Sequence, residues 1–387
     1  LNRDEHLTRP GPKRILALEG GGVRGIISLA FLERIEALLA ERSGLGSEFR
    51  LRDYFDLIGG TSTGSLIATG LALGFSVRRL VDIYLNLSRR GFRGARWHGG
   101  VLIPKFRTRP LVDVLREQIG EITLGSEQLT TGLAIVAKRI DTGSVWIFHN
   151  HPRGVYFGPA SHDAEAVPNR DLPLVNLVRA STAAPTFFAP EVIEIARGVK
   201  GAFVDGGVSP HNNPSLLLLM LASLGGYGFN WPLGPESLLL CSVGTGAQPI
   251  ARHAVDVARM SGASLALESL MSMMHDCNWL NQTLLQWLSV CPTPWAIDSE
   301  IGDVSSDHFA GRAFLHYLRY NIVFDRAWLE SQLSLDVSDK DLAALIRMDR
   351  PELAQRLLDL GRAAAVVQVK DSHLPACFDV RPASVAN

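Results

Sequence analysis

Apolar residues in this chain fall mostly into short runs that end in small residues. Ile15 to Leu18 lead into Glu19 and three glycines, and YFDLIGG (54–60) runs into a second glycine pair. LAIVAKRI (133–140), SVWIFHN (144–150), EVIEIA (191–196), KGAFVDG (200–206) and SLLLCSVG (237–244) have the same length and similar borders. Runs of this kind predict buried strands. Between them apolar positions recur at helical spacing, in IISLAFLERIEALLAER, which ends in a turn near Arg42 to Gly46, and in TSTGSLIATGLALG. Strand and helix therefore alternate as in an α/β protein with a mostly parallel sheet. SLLLLMLASLGG, from Ser215, is too short to cross a bilayer and reads as a buried helix. Beyond it, SDKDLAALIRMDRPELAQRLLDLG is helical, with Ser338 and Asp341 resembling a capping box. The chain has no internal repeat and no low-complexity linker. The expected organisation is a polar segment over 1–13, a core over 14–245, and a mainly helical region over 246–387 packed on that core.

Composition narrows the function classes. The 387 residues are 47% hydrophobic and 20% charged, with a net charge of -1, so any attraction to a membrane or nucleic acid must be local. Cys241, Cys277, Cys291 and Cys377 form no C-x-x-C pair, which argues against a zinc ribbon or a disulfide scaffold and favours a reducing compartment. The first residues, LNRDEHLTRPGPKR, lack the apolar stretch of a signal peptide, although an initial leucine leaves the true start open. The expectation is a soluble, cytoplasmic protein.

Two glycine turns carry candidate chemistry. Gly20, Gly22 and Gly25 match G-x-G-x-x-G between a strand and a helix. Such a turn holds the pyrophosphate of a dinucleotide or, equally, an oxyanion, because backbone N–H groups and the helix dipole favour any localised negative charge. Gly60, Thr61, Ser62, Thr63 and Gly64 spell G-x-S-x-G in the strand-to-helix setting of a nucleophile elbow. A serine nucleophile needs a base, usually histidine. None of the eleven histidines stands in an obvious signature, though His211 lies close after Asp205. Asp205, followed by Gly206 and Gly207, instead puts a carboxylate at the end of a strand, where α/β sheets gather their chemistry.

In order along the chain, GGGVRG (20–25), GTSTG (60–64), ASTAAPTFF (180–188) and DGG (205–207) resemble the four blocks of the patatin-like phospholipases. The resemblance covers roughly residues 14 to 245. It implies a three-layer α/β/α fold and a Ser-Asp dyad that hydrolyses membrane phospholipid esters through an acyl-enzyme, with no cofactor and no metal in the active site. It assigns Ser62 as nucleophile, Asp205 as base, Gly60 and Gly64 to the elbow and Pro185 to the acyl-site lining. The oxyanion hole falls to Gly20, Gly21, Gly22, Val23, Arg24 and Gly25, with the N–H groups of Gly21 and Gly22 aimed at the charge. Some bacterial members are antiphage effectors switched on by cyclic oligonucleotides. That similarity implies a cyclic di- or trinucleotide activator, self-association on activation and action at the inner membrane surface, and it implies no DNA partner.

Two further features stand apart. Between Asp82 and Asp113 there is no acid, while Arg89, Arg90, Arg93, Arg96, Lys105, Arg107 and Arg109 occur among aromatic residues. This stretch suits an anionic lipid surface, nucleotide phosphates, or pairing with acids elsewhere in the fold. His149-Asn150-His151 suggests a metal or nuclease motif at first sight, but without a third ligand it is better read as strand-end hydrogen bonding.

Overall fold

The computed structural model describes residues 1–91, 104–160, 163–249 and 253–380. Strands β1 (Lys13–Leu18), β2 (Leu57–Thr61), β3 (Gly132–Arg139), β4 (Ser144–His149), β5 (Glu191–Ala196), β6 (Val199–Asp205), β7 (Leu238–Val243), β8 (Ser289–Val290) and β9 (Leu315–Tyr320) form one sheet. Its order is β5-β6-β3-β2-β1-β7-β9-β8, with β4 paired to β3. The pairings of β1, β2, β3, β7, β8 and β9 with one another are parallel, and the antiparallel ones gather where β3 meets β4 and β6 and where β6 meets β5.

The helices follow in chain order: α1 (Arg3–Thr8), α2 (Gly25–Ser43), α3 (Leu51–Tyr54), α4 (Thr63–Ala72), α5 (Val77–Gly91), α6 (Thr108–Ile119) and α7 (Leu174–Ser181). After these come α8 (Ser215–Ser223), α9 (Ala254–Ala258), α10 (Gly262–Trp287), α11 (Arg326–Leu333), α12 (Asp339–Leu345) and α13 (Ala354–Gln368).

Strand residues alternate between two cores, which is why the runs are apolar throughout. Leu16, Leu18, Ile58, Leu133 and Ile135 point into one core, with side chains from α2, α4, α5, α6, α7 and α13. Ile15, Ala17, Leu57, Ala134 and Leu240 point into the other, with Leu7 of α1, Leu218 of α8 and Leu285 of α10. A sheet buried on both faces between helices is a three-layer α/β/α arrangement.

The sequence pattern marks no strand at Leu315–Tyr320, yet all six residues of β9 are buried. His316, Tyr317, Arg319 and Tyr320 interrupt the apolar run, and several of their polar atoms are satisfied inside the fold. Tyr320 Oη and His373 Nδ1 lie 3.1 Å apart, and Arg319 Nη1 donates to Ser242 Oγ at 2.8 Å. The region after 245 thus supplies sheet as well as helices. The helical stretch from Asp339 divides in two: α12 ends at Leu345, and Pro351 opens a 3-10 turn over Pro351–Leu353 that leads into α13. Ser338 caps α12, accepting from the Asp341 N–H at 3.2 Å and donating to its carboxylate at 3.0 Å. Helix α13 lies on α2, where a Cβ at Gly361 would sit 2.8 Å from that of Ala30, and Arg362 grips Glu33 with two bonds of 2.7 and 2.9 Å.

The leading polar segment is also folded. Helix α1 buries His6 and Leu7, and the buried Asp56 carboxylate accepts from the Arg14 N–H at 2.9 Å and its Nε at 3.0 Å, with His6 Nδ1 2.9 Å away. Among the described residues no helix is long and apolar enough to cross a membrane.

Candidate active site

Strand β2 ends at Thr61, and Ser62 turns the chain into α4 at φ 54°, ψ −127°. A non-glycine residue at positive φ costs about 1–3 kcal/mol and persists only where its surroundings impose it. Here they do. A Cβ on Gly60 would lie 2.6 Å from the Ser65 nitrogen, and one on Gly64 would lie 2.7 Å from the Glu19 carbonyl oxygen. The Ser62 N–H donates to Ser181 Oγ at 2.9 Å, and that hydroxyl donates to the Val136 carbonyl at 2.6 Å.

Strand β3 separates β2 from β6 and brings the second group alongside. Thr61 pairs with Val136, and Asp205 pairs with Ala137, the next residue. Ser62 Oγ donates to Asp205 Oδ2 at 2.5 Å, and the Gly207 N–H donates to Oδ1 at 2.7 Å. The Asp205 N–H is anchored on the Ala183 carbonyl at 3.0 Å. Burial pushes the Asp205 carboxyl up to about 6, against the bonds from Ser62 and Gly207 and the charge of Arg179, which pull it down. Among the described residues no histidine bonds to the Ser62 hydroxyl. His211 meets the elbow through its carbonyl, which accepts from Thr61 Oγ1 at 2.6 Å.

The first glycine turn is pressed against protein atoms. Cβ atoms on Gly20, Gly21 and Gly22 would lie 3.0 Å from Ser62 Cβ, 2.5 Å from Thr245 Cβ and 2.6 Å from the Met348 carbonyl oxygen. No side chain beyond hydrogen fits at these three positions without moving its neighbours. The N–H groups of Gly20 and Val23 are spent on the carbonyls of Asn212 (3.2 Å) and Met348 (2.9 Å), and those of Arg24 and Gly25 bond within the turn. Among the described residues, no hydrogen bond engages the N–H of Gly21 or Gly22, the two donors expected to face the charge. Tyr84 of α5 holds the Gly22 carbonyl, and Thr245 Oγ1 holds that of Gly20 at 2.9 Å. The Arg24 guanidinium is turned away, over the Phe324 ring at 5.5 Å.

Pro185 is exposed beside the Ala183 carbonyl that anchors Asp205. Of the five described cations in this stretch, three face acids. Arg90 makes two bonds to Glu117 of 2.6 and 2.8 Å, Lys105 bonds to Asp349, and Arg109 lies 4.0 Å from Asp113. Arg89 and Arg107 are exposed, and Arg93 and Arg96 lie outside the described residues. The strand-end pair His149 and His151 packs on Phe229, and burial pushes both rings down, to about 4 and about 3, so they are neutral at pH 7. Among the described residues no group of three His, Cys, Asp or Glu side chains is placed to hold a metal. Ser181, Asn212, Thr245 and Met348 were not singled out from the sequence. Ser181 alone carried a signal, since it stands inside the ASTAAP block.

An α/β/α sheet bearing a serine on a strained strand-to-helix elbow, bonded to a carboxylate at a nearby strand end, defines a serine-elbow α/β protein. Residues 16–219 match the family model described as patatin-like phospholipase, and the chain belongs to that family. It is similar to a "cGAMP-activated phospholipase" of Escherichia coli, 32% identical over 212 residues, covering 54% of this chain and 55% of that one. A protein of the same description from Vibrio cholerae is 31% identical over 220 residues (53% and 56%), and Patatin-T5 of Solanum tuberosum is 30% identical over 248 residues (60% and 60%). The chain spans little more than half the length of these relatives.

Proposed function

We propose that this chain hydrolyses acyl esters of membrane phospholipids, with Ser62 as nucleophile and Asp205 as base. The observation that carries the reading is the 2.5 Å bond from Ser62 Oγ to Asp205 Oδ2 at a strained elbow. Ser62 Oγ attacks the ester carbonyl while its proton passes to Asp205. The oxygen that becomes negative is met by the N–H groups of Gly21 and Gly22, donors whose loss costs about 10²- to 10³-fold each in such sites. Collapse expels the lysophospholipid alkoxide, which takes the proton back from Asp205. Water, deprotonated by Asp205, then attacks the acyl-serine, and the released serine oxygen recovers that proton. A free aspartate, with a pKa of about 3.9, is a weak base for this work. Burial of Asp205 brings it closer to the task.

The test is incubation with vesicles of mixed phospholipids and mass spectrometry of the products. Wild type releases fatty acid and lysophospholipid, while Ser62→Ala releases neither and loses labelling by a fluorophosphonate. Hydrolysis undiminished in Ser62→Ala overturns the reading.

The likeness to two cGAMP-activated phospholipases supports a finer proposal, that a cyclic di- or trinucleotide raises the activity and drives self-association on the cytoplasmic side of a membrane. With Arg90, Lys105 and Arg109 facing acids, Arg89 and Arg107 are the described cations of the stretch left to meet an anionic ligand. Hydrolysis and sedimentation with a panel of cyclic nucleotides, repeated with Arg89→Ala/Arg107→Ala, test this. Full activity with no response to the panel makes the protein a constitutive lipid hydrolase instead.

A further inference from the structure

We infer that Arg319 is a positioning residue for the hydrolytic site, one buried guanidinium that ties the glycine turn to the loop following Asp205. The inference rests on the reading of Ser62 and Asp205 given above, and it concerns a residue well beyond the stretch matched by the family model.

Arg319 is only 1% exposed. In the sheet it pairs with Ser242 of β7, which in turn pairs with Ala17 of β1. Side chains two apart on a strand share a face, so Glu19, two residues beyond Ala17, continues the line that Arg319 reaches across about two strand spacings. Arg319 Nη2 lies 2.6 Å from Glu19 Oε1, an ionic contact off the ideal hydrogen-bond axis, and Nη1 donates to Ser242 Oγ at 2.8 Å. From Ser242 the polar chain runs into the other loop. The hydroxyls of Ser242 and Ser215 are 2.8 Å apart, and Ser215 donates to Asn213 Oδ1 through its hydroxyl at 2.5 Å and its N–H at 3.1 Å. Asn281 of α10 closes that loop from outside, donating to the carbonyls of Pro210 (3.1 Å) and Asn213 (3.2 Å).

The two branches meet again at the site. Glu19 immediately precedes Gly20, whose N–H donates to the carbonyl of Asn212, the neighbour of Asn213. The donors on Gly21 and Gly22 and the carboxylate of Asp205 are thus held in one frame, and a planar fork with five donors is suited to gripping both branches at once. A lysine in the same place reaches one branch only. The sites of such donors tolerate little displacement, since small misplacements in a preorganised site lower the turnover rate without touching affinity.

The experiment compares wild type, Arg319→Lys and Glu19→Gln/Arg319→Met. The double variant removes both buried charges together, so neither is left without its partner. Hydrolysis of a soluble nitrophenyl ester is measured per Ser62 titrated by a fluorophosphonate, which removes unfolded protein from the comparison. The expected result is a loss of about tenfold or more in kcat for the double variant and about threefold for Arg319→Lys, with KM changed less than about twofold in both. Wild-type kcat per titrated serine in Arg319→Lys, which keeps the charge and the fold, overturns the inference, as does wild-type kcat in the double variant. Ser62→Ala, run alongside, separates the two levels. An inert Ser62→Ala with wild-type rates for the Arg319 variants removes the positioning role alone, and a fully active Ser62→Ala removes the assignment of the nucleophile and this inference with it.

Discussion

Asp205 sits where ionisation is costly, and the cost has a sign that can be measured. Its carboxyl titrates near 6 in the folded chain because burial disfavours the charge, whereas an unfolded aspartate titrates near 3.8. Above pH 6 the folded state therefore carries an unfavourable carboxylate, a burden of up to about 3 kcal/mol. The burden shrinks as pH falls through 6 and is gone below about 4, where both states are protonated. Asp205→Asn should accordingly raise the melting temperature at pH 7.5 and lose that advantage by pH 4, while hydrolysis falls nearly as far as in Ser62→Ala. Thermal melts across this range check the first part. Wild-type kcat/KM on a soluble ester should rise with pH and level off above an apparent value near 6, and a bell centred on a histidine range would contradict Asp205 as base. The sequence displayed Ser62 as a serine between glycines after a strand, and Asp205 as an acid closing another. Their contact lies 143 residues apart along the chain, and it arises from β6 folding back beside β3. No local pattern encodes that.

Among the elements, the elbow depends on backbones approaching more closely than any side chain permits. A methyl group on Gly64 would lie 2.7 Å from the Glu19 carbonyl oxygen, at the start of the glycine turn, so Gly64→Ala pushes the Ser62 elbow away from that turn. The expected outcome is a loss of about 1–3 kcal/mol in urea unfolding and near-complete loss of fluorophosphonate labelling. A variant labelled at the wild-type rate would show that the elbow has slack. Apolar runs with small-residue borders made β1, β3 and β7 legible, because apolar side chains fill both faces of a buried strand without needing partners. Strand β9 was not legible, since LHYLRY carries four polar or amphipathic residues, and the partners of Arg319 and Tyr320 are Ser242 of β7, Glu19 and His373. The partners of the other N–H groups in the glycine turn were equally hidden, since Asn212 and Met348 lie far along the chain.

At the scale of the molecule, residues after 245 complete the sheet and the core around the elbow and the glycine turn. Strand β9 pairs along β7, and α13 buries Leu357, Leu358, Ala364 and Ala365 in the core shared with α2. A fragment ending at residue 245 exposes the edge of β7 and the apolar face of α2, so it should show no cooperative unfolding transition and should be cut rapidly by proteases. A sharp transition in circular dichroism from that fragment would mean that the core stands alone. The order of strands also has a consequence in time. Ribosomes deliver about 5–20 residues per second, so the strand carrying Arg319 emerges on the order of tens of seconds after the serine elbow. Until then β7 lacks its outer neighbour and Glu19 its buried countercharge. Under the function proposed above, activity on the nascent chain should therefore wait for β9, and a translation product cut short before Leu315 should show none.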